Sequence, residues 1–427
     1  MRDLLGSVNG PLEREAPELF QALSPLGRRA VLTPGAHRPS PALESLEAAN
    51  LRPALRRALG GLGEADRALA FSPSPVTGLP EVRERWRAWQ RRDVDPAVPS
   101  TLPLVTAGLS HGLSLLADLF GGEGKAVAVP EPFWGNYRQA FAARTGARIL
   151  TAPAYVEGRF HTRALAVALA GLPDGEPAVA MLNLPSNPGG YSPTDEERRE
   201  IRASLIEVAE RRPLVVVCDD AYAGLVFEPG VDPSSMFWEL IGAHPNLVPV
   251  KVDGSTKELS FFGGRVGFLT FGLDPESDAA RALEDKVAML VRSTIGSPVA
   301  SSQMIVLQAL RQERAALEAE TEAVRLLLEG RYRALKGALA EADPEVMTTL
   351  PFNSGCFALV ELPEALGVTS SAARRHLLDR HDTGLVSIEP RYLRIAHCSV
   401  DAAALPELAR RLERGIGELA GATAGSS

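Results

Sequence analysis

A lysine and an arginine stand close together in the stretch KVDGSTKELSFFGGRVGFLTF. Lys257 directly follows an apolar run and a glycine, and Arg265 comes eight residues later, just before the next apolar run. A lysine in a partly dry pocket near another cation loses its proton more easily, and its amine can then form a Schiff base with a carbonyl. An arginine suits a phosphate dianion. Carbonyl chemistry beside an anion site is one interpretation of the pair, but a lysine near an arginine, taken alone, is usually surface charge.

Two further apolar runs end in side chains that could assist such chemistry. LVVVCDDAY ends in Asp219, with Tyr222 shortly beyond, and AVAMLNLPSNPGG leads to Asn187. A buried carboxylate can keep a heteroaromatic nitrogen protonated, and a phenol nearby can donate to an oxygen. The alternatives are a turn capped by the aspartate and a turn before a helix, since Thr194 and Glu197 have capping-box spacing.

Two more stretches complete the set of candidates. In TLPLVTAGLSHGL, Gly108 ends a strand, and Leu109 and Ser110 open a helix whose free backbone N–H groups favour an anion. In VPEPFWGNYRQA, Trp134 follows a strand and offers a flat face to an aromatic ring. An ordinary helix start and a core tryptophan are the alternatives.

The elements that must position these residues alternate between strands and helices from residue 102 onward. Such alternation predicts an α/β fold with a mostly parallel sheet, and ligands of these sheets bind outside the carboxyl ends of the strands. A long helical pattern follows Pro298, and short strands and two helices return near the end. We predict an N-terminal arm over 1–60 that joins the small domain, a large domain over 61–310 and a small α/β domain over 311–427.

Taken together and in order, these stretches resemble the fold-type I pyridoxal-phosphate enzymes, and within them the class I/II aminotransferases with aspartate aminotransferase as prototype, over about residues 30 to 400. The resemblance implies pyridoxal 5'-phosphate as cofactor, Lys257 as the Schiff-base lysine and Asp219 as partner of the pyridine nitrogen. It also implies cofactor contacts from Leu109, Ser110, Trp134, Asn187, Tyr222, Ser255 and Arg265.

The same resemblance implies the substrate contacts. Arg394, in YLRIA, fits the arginine that binds the substrate α-carboxylate; Arg391 competes, but Arg394 lies within the apolar strand, where a charge needs a reason. Gly35, in TPGAHR, would lie beside that carboxylate. Arg292 would read a distal carboxylate across a homodimer interface, or it is a solvated arginine at a helix end.

The sequence also departs from the family pattern at two positions. Phe71 stands where many relatives have a tyrosine that contacts the partner subunit's phosphate, and Gly189 replaces the usual threonine of the Asn-Pro-Thr-Gly motif. The expected activity is transfer of an amino group between an L-amino acid and a 2-oxo acid. A lyase or amino-acid oxidase on the same scaffold and an aminotransferase-like effector-binding module are the alternatives.

Composition narrows the partners and the compartment. Acidic residues outnumber basic ones by 53 to 45, for a formal charge of -8, which argues against nucleic acid or an anionic membrane as partner. No run of eighteen apolar residues lacks a charge, and the first twenty residues lack the apolar core of a signal peptide, so we expect a cytoplasmic protein. Three distant cysteines, Cys218, Cys356 and Cys398, predict buried thiols and no metal site.

Overall fold

The computed structural model describes residues 62–424, and its main feature is a seven-stranded sheet. Between residues 104 and 271 lie nine strands, of which β4 and β5 form a separate hairpin and the other seven form this sheet. They are Leu104–Thr106 (β1), Ala126–Glu131 (β2), Arg148–Pro153 (β3), Tyr155–Val156 (β4), Arg159–Phe160 (β5), Ala178–Asn183 (β6), Leu214–Asp219 (β7), Leu247–Gly254 (β8) and Gly267–Phe271 (β9). The order across the sheet is β1-β9-β8-β7-β6-β2-β3. Within this sheet, six strands run in one direction and only β9 runs in the opposite direction, so the predicted mostly parallel sheet is confirmed.

Helices connect these strands and continue into the C-terminal part. They are Glu64–Phe71 (α1), Pro80–Gln90 (α2), Leu109–Phe120 (α3), Ala164–Leu169 (α4), Asp195–Arg211 (α5), Met236–Leu240 (α6), Ser255–Glu258 (α7), Asp278–Thr294 (α8), Ala300–Leu310 (α9), Arg314–Leu339 (α10), Ser370–His381 (α11) and Leu405–Ala424 (α12). The helical pattern after Pro298 forms two helices rather than one, because Glu313 has an extended backbone. Within residues 62–424, no helix combines the length and the apolar character needed to cross a bilayer.

The central strands are buried because helices cover both faces of the sheet. On β7, Val216 and Cys218 pack into a core with Leu205 of α5, whereas Val217 packs into the opposite core with Leu113 of α3. Alternate residues of a strand point to opposite faces, so a strand covered on both sides must be apolar throughout. This requirement explains the uninterrupted run LVVVC. The run ends at the carboxyl end of β7, where the strand leaves the core.

A second, four-stranded antiparallel sheet lies in the C-terminal part. Its strands are Thr348–Thr349 (β10), Ala358–Glu361 (β11), Val386–Ile388 (β12) and Tyr392–Ile395 (β13), in the order β10-β11-β13-β12. Its core contains residues of α10, α11 and α12. The large sheet thus falls within the predicted domain 61–310 and the small sheet within 311–427, while the arm 1–60 lies outside the described residues.

Candidate active site

Four strands deliver side chains to one edge of the large sheet. β6 ends at Asn183, β7 at Asp219, and β8 leads through Gly254 into α7, which carries Lys257. β1 leads through Gly108 into α3. Because these strands run in the same direction, their carboxyl ends surround one cavity of about 220 Å³. This is the edge at which ligands bind in open α/β sheets.

Most of the predicted site residues lie on the wall of this cavity. The eight that line it are Leu109, Ser110, Trp134, Asn187, Asp219, Tyr222, Lys257 and Arg265. Asn183, Ala221 and Thr256 line it as well, and sequence reasoning missed them. Their only signal was position: each directly ends a strand or adjoins a residue that had been singled out.

The Asp219 carboxyl is buried and held by two hydrogen bonds. The Tyr137 hydroxyl donates to Oδ2 at 2.6 Å, and the Ala221 amide donates to Oδ1 at 3.3 Å. Burial raises the pKa of Asp219 to about 6, and the Tyr137 hydrogen bond opposes that rise by favouring the ionised form. Tyr137 is a functional residue that sequence reasoning missed, although it is the fourth residue of WGNY.

Lys257 extends from α7 into an aromatic environment. Its Nζ lies 4.9 Å from the ring centre of Phe262 and 5.8 Å from that of Tyr222. Burial lowers the pKa of Lys257, and the positive charge of Arg265 lowers it further. A larger fraction of the lysine is therefore a neutral amine near pH 7, which is the nucleophilic form.

The anion end of the cavity lies where Arg265 meets the first turn of α3. Gly108, with φ of 81°, precedes α3, and a Cβ at this position would lie 2.5 Å from Nη2 of Arg265. Glycine at 108 therefore suits both the positive φ and the close approach of the guanidinium, and Arg265 shares the cavity wall with Leu109 and Ser110 at the start of α3. Thr256 also lines the cavity, and its hydroxyl is buried with no hydrogen-bond partner among the described residues.

Ser255 does not take the predicted place in the cavity wall. Its side chain is fully buried, and its hydroxyl donates to the Val266 carbonyl at 3.2 Å. The short helix α7 turns Thr256, rather than Ser255, toward the cavity. The hydroxyl on the cavity wall therefore comes from Thr256 and not from Ser255 as predicted.

Arg394 of β13 does not line the cavity itself but contacts Asn187, which does. Its Nη1 donates to Oδ1 of Asn187 at 2.9 Å, and its guanidinium lies 4.3 Å from the ring centre of Phe357. Nε is buried with no partner among the described residues, and burial lowers the pKa of Arg394. The competing candidate, Arg391, instead forms an ion pair with Glu361 at 3.2 Å and is partly exposed.

Gly189 differs from the family pattern for a visible reason. A Cβ at this position would collide with the hydroxyl of Tyr155 and would lie 2.8 Å from Oγ of Ser186. Tyr155 therefore fills the space that a larger residue at 189 would need. The turn still presents Asn187, whose backbone N–H donates to Asn183 Oδ1 at 2.6 Å.

The structure does not place three other predicted residues on the wall of this cavity. Arg292 is exposed on the last turn of α8 and does not line the cavity of its own chain. Gly35 and the side chain of Phe71 lie outside the part of the chain that the structure describes.

Comparisons with known proteins agree with this geometry. The family model for aminotransferases of class I and II matches residues 49–412. A 2-aminoadipate transaminase from Thermus thermophilus is 28% identical over 325 residues, covering 73% of this chain and 75% of that protein. An aspartate aminotransferase from a Bacillus species is 24% identical, covering 61% of this chain and 62% of that protein.

Solved structures agree as well. The α-aminoadipate aminotransferase of Thermus thermophilus, complexed with N-(5'-phosphopyridoxyl)-L-leucine, is similar with a TM-score of 0.69 and 26% identity, over 89% of this chain and 90% of that chain. An aminotransferase from Anaerococcus prevotii has a TM-score of 0.74 at 18% identity, over 90% and 98% of the two chains. The chain therefore belongs to the class I and II aminotransferase family and is a pyridoxal-phosphate-dependent aminotransferase of fold type I.

Proposed function

We propose that Lys257 both carries the cofactor and moves the proton in the transamination between an amino acid and a 2-oxo acid. The observation that carries this proposal is the half-buried Lys257 on the wall of the same cavity as the buried Asp219 carboxyl. When bound, pyridoxal phosphate supplies an electron sink that makes the α-carbon proton of an amino acid labile. Lys257 would hold the cofactor aldehyde through its amine. As a free neutral amine it would accept the α-carbon proton and would deliver it to a neighbouring carbon.

The cavity fits the cofactor because its polar groups match the cofactor's charges. Arg265 and the start of α3 would hold the phosphate, with the Thr256 hydroxyl, which lacks a partner among the described residues, as a further donor. Asp219 would hold the pyridine nitrogen in its protonated form. The remaining contacts, to the ring oxygen and the ring face, would come from Asn187, Tyr222 and Trp134.

Arg394 would bind the substrate α-carboxylate. Its guanidinium is already oriented by Asn187 and Phe357, and its buried Nε has a free N–H in the described part of the chain. A carboxylate that accepts two parallel N–H bonds satisfies this donor and gains the strength of a charge-assisted pair. The substrate would thereby be held with its α-carbon near Lys257.

We also propose a cytoplasmic homodimer whose partner subunit covers the segment around Arg292. Met289, Ile295 and Val299 flank this arginine and expose large apolar side chains, by 63%, 39% and 54%. Such a patch favours burial against another copy. Arg292 would then face the neighbouring cavity and select substrates with a distal carboxylate, such as glutamate or the 2-aminoadipate named for the relative.

The decisive experiment compares Lys257→Ala with Lys286→Ala, which removes an exposed lysine of α8. Each protein is incubated with pyridoxal phosphate and a panel of amino acids and 2-oxo acids. We expect Lys257→Ala to lose the visible absorption of the lysine-linked cofactor and to lose turnover on the order of 10⁴-fold or more, while Lys286→Ala keeps both. Normal turnover of Lys257→Ala would contradict the assignment, and release of ammonia without an aminated product would indicate a lyase or an oxidase.

A further inference from the structure

Two histidines and a glutamate meet on the small domain, outside the cavity described above. His376 and His381 lie on α11, and Glu418 lies on the neighbouring helix α12. Nε2 of His376 is 3.4 Å and Nε2 of His381 is 2.9 Å from the same Oε2 atom of Glu418. The three atoms lie within 4.8 Å of one another.

The 3.4 Å between His376 and Glu418 matches the spacing of two ligand atoms on a small divalent metal ion, and the 2.9 Å between His381 and Glu418 would lengthen by about 0.5 Å on binding. Zinc binds imidazole nitrogen at about 2.0–2.1 Å and carboxylate oxygen at about 2.0–2.2 Å, so two ligand atoms in a tetrahedral site lie roughly 3.3–3.5 Å apart. The two imidazole nitrogens converge on one carboxylate oxygen, so three potential ligand atoms already point toward one place. One cation at the centre would replace both N–H protons.

The packing holds the His381 ring in this position. A Cβ at Gly415 of α12 would lie 2.9 Å from Cδ2 and 3.1 Å from Nε2 of His381, so glycine lets the ring lie against the helix. The backbone is fixed as well, since Arg411 Nη1 and the Thr383 hydroxyl both donate to the His381 carbonyl, at 3.1 and 2.8 Å. The His381 side chain is only 9% exposed.

We propose that His376, His381 and Glu418 form a Zn²⁺ site, with solvent at the remaining coordination position. Two imidazoles and one carboxylate suit zinc better than magnesium or calcium, which prefer shells made of oxygen. The ion would clip α11 to α12 and stabilise the small domain. Sequence spacing could not indicate this site, because Glu418 is 37 residues from the nearer histidine.

The test uses the full-length protein without a histidine tag, freed of metal by a chelator and loaded with pyridoxal phosphate. Zinc chloride is titrated in a calorimeter, and thermal unfolding is measured with and without zinc. We expect one equivalent to bind and to raise the unfolding temperature. Loss of a ligand in His381→Ala or Glu418→Gln should weaken binding at least about tenfold.

Two further variants separate the site from general effects on stability. Gly415→Ala keeps all three ligands, but its Cβ would lie 2.7 Å from Cδ2 of the buried Leu377 and 2.9 Å from Cδ2 of His381, so it should weaken zinc binding; its unfolding temperature without zinc measures the accompanying loss of stability. Glu413→Gln removes a carboxylate from the same helix and should leave zinc binding unchanged. Equal zinc binding by the wild type and both ligand variants would overturn the proposal, as would binding that is lost only in Cys398→Ser.

Discussion

The hydrogen bond from Tyr137 to Asp219 should tune the affinity for pyridoxal phosphate. In Tyr137→Phe the Asp219 carboxylate loses a donor at 2.6 Å in a buried environment. A hydrogen bond to an ionised group contributes about 1.5–3 kcal/mol. Since one pKa unit corresponds to about 1.4 kcal/mol, the pKa of Asp219 should rise by about 1–2 units from its value of about 6.

The direction of the resulting pH effect follows from the charge that the cofactor nitrogen requires. Only the ionised carboxylate pairs with a protonated pyridine, so cofactor binding by the free protein weakens as pH falls through the pKa of Asp219. In Tyr137→Phe this loss should begin about 1–2 pH units higher than in the wild type. Both proteins share the titration of the cofactor's own groups, so the difference between them reports Asp219.

The assay is the dissociation constant of pyridoxal phosphate, measured from tryptophan fluorescence between about pH 5 and 9. Tyr191→Phe is the matched control, because the Tyr191 hydroxyl donates to Glu197 at 2.8 Å, and neither residue lines the cavity. A Tyr137→Phe profile that coincides with those of the wild type and the control would refute the reasoning. A shift to lower pH would refute its sign.

Two other substitutions test the two cationic ends of the cavity. Arg394→Ala should lower kcat/KM for amino acids by about 10- to 150-fold, because it removes charged hydrogen bonds worth about 1.5–3 kcal/mol. Arg391→Ala is the control and should change kcat/KM little. Steady-state kinetics in which Arg391→Ala has the larger effect would contradict the assignment of Arg394 to the carboxylate. Gly108→Ala should displace Arg265 and weaken pyridoxal-phosphate binding at least about tenfold. Gly124→Ala is the control, because Gly124 has a similar φ of 80° but no atom within 4 Å of the added Cβ. Equal dissociation constants of the two variants would refute the role of Gly108.

Much of the fold and of the cavity could be predicted because strand ends are visible in sequence. An apolar run that stops at Asp219 or before Lys257 marks the edge of a sheet covered on both faces, and residues at such edges meet in space. All three cysteines are buried, as predicted. Their neighbourhood could not be predicted: the Cys398 amide donates to the Cys356 carbonyl at 3.5 Å, and the interaction between the two thiols lowers the pKa of Cys398 and raises that of Cys356.

Details that depend on side-chain direction could not be predicted. The sequence contains two adjacent aspartates, and only the structure shows that Asp220 turns away to pair with the buried Lys251, at 3.5 Å, while Asp219 faces the cavity. Side-chain direction also decides that Thr256 lines the cavity and the predicted Ser255 does not, because neighbouring residues of a helical turn point in different directions. Tyr137 was missed because nothing in the sequence indicates that a tyrosine in a helical segment contacts Asp219.

The contact between Tyr155 and Gly189 links two sites that are 34 residues apart in sequence. A threonine at 189 has no room while the phenol is present, and a smaller residue at 155 alone would leave a gap beside the turn that presents Asn187. We therefore expect a single exchange at either position to destabilise this turn and a paired exchange to restore the volume. Grafting the more common turn onto this scaffold would require both residues to be transferred together.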